Sequence, residues 1–239
     1  MKTIGLIGGM SWQSTIPYYR LINEEIVRTL GGFHSAKIIL WSVDFAEMEE
    51  LQRTGQWEES GRQLTDVAQR LENAGAELLV IGTNTMHIVA DQIEAGISIP
   101  LLHVADPTAA AILAAGARTV GLLGTRFTME KEFYRRRLES HGLTVLTPEE
   151  KDRDEIHRVI YEELVLGRIE EDSRDTYRRI IGDLIAQGAQ AIIFGCTEIG
   201  LLVSQSDSAV PVFDTTTIHA QAAARFGIKT ADITLLPIG

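Results

Sequence analysis

A chain of 239 residues, 45% hydrophobic and 23% charged, has the composition of a soluble globular protein and length enough for one large domain or two small ones. Its formal charge of −11 speaks against a nucleic-acid partner, and no apolar run approaches the ~20 residues of a membrane span. The only cysteine, Cys196, cannot form an internal disulfide, and the Met1–Gly9 start is too glycine-rich for a secretory signal, so a cytoplasmic protein is expected.

Strand and helix signals alternate along the whole chain, the pattern of parallel sheets covered by helices. Thr3–Ile7 reads as a strand, followed by Gly8-Gly9 and a helix capped by Ser11 or Ser14 that runs to about Leu30, with Pro17 early in it. Lys37–Val43 is the second strand, Ala46–Gln52 and the amphipathic Trp57–Ala74 are helices, and Glu77–Ile81 is the third strand. A helix over Met86–Ala95, a strand over Ile99–Val104 and a small-residue helix from Pro107 to Ala115 close the first half. The second half brings a strand at Thr119–Leu123, a helix at Met129–His141, a strand at Leu143–Thr147, and helices at Lys151–Gly167 and Glu171–Gln187. Strands at Ala191–Phe194 and Val210–Phe213 and a helix over Ile218–Phe226 follow; the closing Ile228–Gly239 carries β-like residues near Ile233–Leu236 that find no clear place.

The two halves repeat one another. Lys2-Thr-Ile-Gly-Leu-Ile-Gly8 matches Arg118-Thr-Val-Gly-Leu-Leu-Gly124 at an offset of 116, carrying Tyr18 onto Tyr134. Ala74–Thr85 matches Gln187–Glu198 at an offset of 113, placing Thr83 where Cys196 falls, and Ile99-Pro-Leu-Leu102 matches Val210-Pro-Val-Phe213 at 111. Three matches in the same order favour an internal duplication. The expected fold is therefore α/β, with two pseudo-symmetric domains, each a mostly parallel sheet flanked by helices, and the active site in the cleft between them. The first domain is expected over 1–104, with 212–239 returning to it, and the second over 105–211.

In an open α/β sheet, ligands bind outside the carboxyl ends of the strands, where Cys196 sits. Two readings of this cysteine stand side by side: a small buried hydrophobe, or a reactive thiol whose pKa is lowered from about 8.5 by backbone N–H groups at the start of a following helix. Thr197 and Glu198 place a hydroxyl and a carboxylate beside it. Asn84 and Thr85 are the corresponding pair after Thr83, either anion-binding residues or simple helix caps. Gly8-Gly9-Met10 does not complete the dinucleotide pattern, because Gln13 stands at the third glycine. His34, His87, His103, His141, His157 and His219 lack close metal-ligand spacing; His87 and His219 read as satisfied helix histidines.

Lys2–Met10, Ser42-Val-Asp-Phe45, Gly82-Thr-Asn-Thr-Met-His87 and Phe194-Gly-Cys-Thr-Glu-Ile-Gly200 together resemble the aspartate/glutamate racemase family over essentially the whole chain. The resemblance implies an enzyme without pyridoxal phosphate, other cofactor or metal, typically a homodimer, acting on a small acidic amino acid with one catalytic cysteine on each face of Cα. By that resemblance Cys196 is the second cysteine, whereas the first position holds Thr83. The catalytic pair is thus expected to be Thr83 and Cys196, with Cys196 removing the Cα proton and the Thr83 side reprotonating. Relatives with this Thr/Cys pair are associated with L-aspartate and L-glutamate, so the L hand is expected. The same resemblance assigns substrate contacts to Gly9, Met10, Gln52, Asn84, Thr85, Thr125, Thr197 and Glu198, with Arg53 either a further contact or exposed surface. Arylmalonate decarboxylases, which keep only the second cysteine, and a non-catalytic acidic amino-acid binder are the alternatives.

Overall fold

The computed structural model describes residues 1–228. In the first unit, Met1–Val104 with residues 219–228, strands β1 (Thr3–Gly8), β2 (Lys37–Ser42), β3 (Leu78–Ile81) and β4 (Leu101–Leu102) form one parallel sheet in the order β2-β1-β3-β4. In the second unit, Ala105–Ile218, strands β5 (Thr119–Gly124), β6 (Thr144–Leu146), β7 (Ala191–Gly195) and β8 (Val212–Asp214) form another in the order β6-β5-β7-β8. The duplication legible in the sequence is a duplication of topology. The return to the first unit comes at His219, later than the expected 212, because β8 pairs with β7 through Ile192↔Val212 and Phe194↔Asp214.

Alternation along the strands divides the first unit's core. Ile4, Leu6, Leu78 and Val80 meet Tyr18, Ile22 and Ile26 of α1 (Trp12–Leu30) and Ala220, Ala223 and Phe226 of α11 (Thr215–Ile228) on one side of the sheet. Ile7, Leu79 and Ile81 meet Leu64, Val67, Ala68 and Leu71 of α3 (Trp57–Asn73) and Met48 of α2 (Phe45–Arg53) on the other. Gly5 is required for that second contact, since a Cβ there would lie 2.9 Å from the Ala76 Cβ and 3.3 Å from the Leu71 Cβ. Its repeat partner Gly121 does the same for Leu184 of α9 (Glu171–Ala186), at 2.9 Å. Tyr18 and Tyr134, paired by the repeat, are both fully buried.

Several boundaries differ from expectation for identifiable reasons. The strand expected over Ile99–Val104 is only Leu101–Leu102, because Pro100 has no N–H and the Ser98 and Ile99 amides donate to the Glu72 carboxylate. Pro100 still serves the sheet as an acceptor, taking the Leu79 amide at 2.9 Å, and Pro211 takes the Ile192 amide at 2.9 Å in the second unit. The helix expected over Met86–Ala95 is a 3₁₀ turn, Thr85–Val89, followed by α4 (Ala90–Ala95). The helix expected from Met129 starts at Arg126 as α6 (Arg126–Glu130), capped by Thr125, and an extended Lys131 separates it from α7 (Glu132–Ser140). Between these elements lie α5 (Ala105–Ala114), α8 (Glu150–Glu162) and, after β7, the short α10 (Ile199–Leu202). The β-like stretch at 233–236 lies outside the described residues, and no helix among those described is long and apolar enough to cross a membrane.

Candidate active site

The parallel registers fix what stands at each sheet's carboxyl edge. In the second unit, Gly124 pairs with Gly195 and Phe194 with Asp214, so Thr125 follows β5, Cys196 follows β7 and Thr215-Thr216 follow β8. In the first, Ile7 pairs with Ile81, so Gly8-Gly9 and Gly82-Thr83 leave β1 and β3 side by side, and the Gly82 amide makes the last ladder bond, to the Ile7 carbonyl at 2.8 Å. One central strand of each sheet, β3 and β7, thus leads into one of the two residues singled out from the sequence, Thr83 and Cys196.

Cys196 is buried, and its Sγ–H donates to Glu198 Oε2 at 3.1 Å. Thr197 Oγ1 donates to the same oxygen at 2.5 Å. Burial pushes the thiol pKa well above its usual range, the Glu198 charge adds to that, and the Glu198 and Thr197 amides pull the other way without prevailing. The expected lowering by a following helix is therefore corrected: α10 has only four residues, and desolvation beside a carboxylate outweighs its amides. Glu198 is itself buried, and its Oε1 has no hydrogen-bond partner among the described residues. In a protein interior such an acceptor costs about 1–3 kcal/mol unless something satisfies it.

The other sequence candidates separate into several kinds. Thr83 is half-buried, and its carbonyl lies 2.8 Å from Nδ1 of His87. Asn84 and Thr85 are buried at the start of the 3₁₀ turn. Gln52 is buried, its Nε2 donating to Met86 Sδ at 3.1 Å. The Gly9 amide donates to Thr15 Oγ1 at 2.9 Å, and Met10 packs in the core with Met48 and Met86. Gly9 adopts φ +89°, and a Cβ there would lie 2.2 Å from the Val43 carbonyl oxygen, so this turn tolerates no side chain. Thr125 Oγ1 accepts from the Thr128 amide as the cap of α6. Arg53 is exposed and paired with Glu50. Thr216 was not anticipated: its Oγ1 is buried and has no partner among the described residues. The Val-Pro repeat had placed the strand before it, but the run Asp214-Thr-Thr-Thr217 carries no motif that marks its hydroxyls.

A thiol hydrogen-bonded to a carboxylate at the tip of a central strand, in a duplicated α/β chain, is the equipment of an enzyme that moves a proton. Residues 7–223 match the Asp/Glu/Hydantoin racemase family. A crystal structure of a candidate Asp/Glu racemase from Yersinia pestis is similar, with a TM-score of 0.91 at 60% identity, covering 96% of this chain and 100% of that one. An aspartate racemase homologue from Pyrococcus horikoshii OT3 superposes with a TM-score of 0.83 at 35% identity, covering 96% and 100%. The broad-specificity amino-acid racemase RacX of Bacillus subtilis strain 168 is 22% identical over 229 residues, 92% of this chain and 95% of its own length. The chain belongs to the Asp/Glu/Hydantoin racemase family and is an amino-acid racemase.

Proposed function

We propose that the chain racemises aspartate or glutamate without a cofactor, with Cys196 and Thr83 on opposite faces of Cα and the L enantiomer as the preferred substrate. The observation that carries this reading is the Cys196 Sγ–H···Oε2 Glu198 hydrogen bond of 3.1 Å at the end of β7. A thiol whose pKa burial has raised is a poor base on its own, and the carboxylate supplies the acceptor that frees it. The thiol proton moves to Glu198 Oε2, the thiolate takes the Cα proton, and the electron pair left on Cα delocalises into the substrate carboxylate. The Thr83 hydroxyl then gives Cα a proton from the other face and regains one from solvent, to which Glu198 releases the proton it took from the thiol, so that thiol, carboxylate and hydroxyl end as they began. Glu198 Oε1, without a partner among the described residues, is an acceptor for the substrate ammonium.

A threonine hydroxyl is far less acidic than a thiol, so the two directions are chemically unequal and one hand of substrate is favoured. Resemblance to relatives carrying the same pair assigns that hand as L. Asn84, Thr85, Gln52, Thr125 and Thr197 serve as substrate contacts in this reading; for Gly9 and Met10 the contact is by the turn's backbone, because the Met10 side chain is in the core. A lone free cysteine suits the reducing cytoplasm, and the homodimer that the resemblance implies would use the apolar outer face of α1.

The test is deuterium wash-in from D2O with both hands of aspartate and glutamate. Wild type should introduce deuterium at Cα during turnover of the L hand, and Cys196→Ala should lose exchange by about a hundredfold or more, as for removal of a catalytic base. Equal exchange into both hands would sink the asymmetric mechanism, and exchange surviving in Cys196→Ala would remove the thiol from the chemistry.

A further inference from the structure

His87 lies buried in the first unit, within the 3₁₀ turn that follows Thr83. Its Nδ1 is 2.8 Å from the Thr83 carbonyl oxygen, and its Nε2 is 3.2 Å from the Val104 amide nitrogen. A carbonyl oxygen has no hydrogen to give and an amide nitrogen no lone pair to offer. The imidazole is therefore neutral with its hydrogen on Nδ1, donating to Thr83 and accepting from Val104. Two further rings hold it in place: His103 at 4.6 Å between centroids and His219 at 5.8 Å. His219 is fixed in turn, its Nδ1 accepting from the Tyr18 hydroxyl at 2.9 Å and its Nε2–H donating to the Leu102 carbonyl at 2.8 Å.

We propose that His87 is the positioning residue for Thr83. The ladder of β3 ends with the Gly82 amide, so the Thr83–Asn84 peptide lies beyond the sheet's own hydrogen bonds. The His87 Nδ1–H sets the direction of the Thr83 carbonyl, and with it the backbone from which the Thr83 hydroxyl projects. The bond to Val104 ties that peptide to the chain leaving β4, across the edge of the same sheet. The internal repeat shows that this support is particular to the Thr83 side. At the 113-residue offset His87 corresponds to Gly200, and in that turn the Cys196 carbonyl accepts instead from the Ile199 amide at 3.3 Å. A thiolate on a long-reaching sulfur tolerates a backbone-only turn; a weakly acidic hydroxyl must be held on line, since a misplacement near 1 Å can cost about a hundredfold.

The proposal rests on the reading that Thr83 returns the proton to Cα, and two substitutions divide the two ends of the ring. Asparagine carries an N–H donor close to the place of Nδ1 but nothing to accept from Val104. Glutamine reaches the place of Nε2 but offers no donor to Thr83. The readout is a ratio taken in D2O: product of inverted hand over deuterium washed into recovered substrate of the starting hand. Inversion needs both faces, whereas wash-in needs Cys196 alone, and a ratio does not depend on how much enzyme is folded. His87→Gln should lower it about tenfold or more, and His87→Asn should leave it within about twofold of wild type. Equal ratios in both variants and wild type, or a fall in His87→Asn alone, would overturn the proposal. Nitrogen NMR of histidine-labelled wild type gives a check that no variant can obscure: His87 should be the Nδ1–H tautomer, and an Nε2–H tautomer would overturn the assignment. Wild type without Cα exchange would remove the racemisation reading itself, an outcome distinct from intact exchange with indifferent His87 variants.

Discussion

Cys196 illustrates how environment, more than residue type, decides a side chain's chemistry. A thiol at a strand tip invites the expectation of an activated thiolate, yet burial and the Glu198 carboxylate raise its pKa well above the usual range. The sign follows from linkage. The folded state holds this proton more tightly than the unfolded chain, so the thiol's contribution to stability is complete below the free-thiol value of about 8.5 and is lost as pH rises through the folded value. The Glu198 carboxylate acts on the thiol twice, by its charge and by accepting the S–H. Glu198→Gln removes the charge and should bring the thiol pKa down, although it takes away the proposed proton acceptor. The rate of Cys196 alkylation by iodoacetamide, followed against pH, should show a midpoint above about 8.5 in wild type and a lower one in Glu198→Gln. An unchanged or higher midpoint in the variant would mean that burial alone sets the shift. Turnover should move the opposite way from nucleophilicity: a variant with more thiolate but slower Cα exchange is the signature of a carboxylate that takes the proton.

At the scale of elements, the turn from β1 into α1 combines two backbone features whose energies oppose each other. Ser11 caps α1 by accepting from the Ser14 amide at 3.4 Å, yet it stands at φ +88°, the one non-glycine residue with positive φ among those described. Such backbone costs about 1–3 kcal/mol, while replacing a serine cap by glycine costs only a few tenths and by alanine about 1 kcal/mol. Relief of strain therefore wins for glycine: Ser11→Gly should be as stable as wild type or more so by about 1 kcal/mol, and Ser11→Ala should be less stable by about the same amount. Thermal unfolding of the two variants checks this, and alanine matching glycine would show that the strain is absent. The same turn marks the limit of sequence reading. A serine cap at Ser11 or Ser14, Pro17 in the helix, the alternating strands and the repeat were all legible, because periodicity and capping are local properties, and the structure makes Ser11 the cap. The break at Lys131 was not, since neither glycine nor proline marks it and only its extended backbone reveals it. The repeat placed Thr83 and Cys196 at equivalent strand ends from the residue pattern alone. What it missed needs the folded backbone: His87 reads as an ordinary helix histidine until Thr83 and Val104 stand at its two nitrogens, and Thr216 carries no local signal.

For the whole molecule, the outer face of α1 is the feature that folding of a single chain leaves unexplained. Trp12, Ile16, Tyr19, Val27 and Leu30 are all exposed, with Trp12 at 62% and Tyr19 at 56%. Their spacings of three, four and eight residues put them on one side of the helix, beside the face that carries Tyr18, Ile22 and Ile26 into the core. From Trp12 to Leu30 the face runs about 27 Å at 1.5 Å per residue and is ~10 Å wide, about a third of the ~800 Å² that each partner of a standard interface covers, so neighbouring surface has to join it. Scattered single hydrophobics need no explanation, but two apolar clusters on one helix face, Trp12-Ile16-Tyr19 and Val27-Leu30 with Asn23 between them, do. In the proposed homodimer the same patch would meet itself under two-fold symmetry, with α1 against α1 of its partner. Ile16→Arg with Tyr19→Arg would set four guanidinium groups in that interface while leaving the core residues of α1 untouched. Sedimentation equilibrium should find wild type at twice the 26.4 kDa of one chain and the double variant at the single-chain mass, with thermal unfolding of the variant becoming independent of concentration. A wild type that sediments as a monomer at micromolar concentration would leave the stripe without this partner. If the dimer is confirmed and the monomeric variant keeps its Cα exchange per chain, each protomer carries a complete site. If exchange falls with dissociation, the interface supports the turn from β1 into α1, where Gly9 and Ser11 already hold the backbone in conformations that few residues adopt.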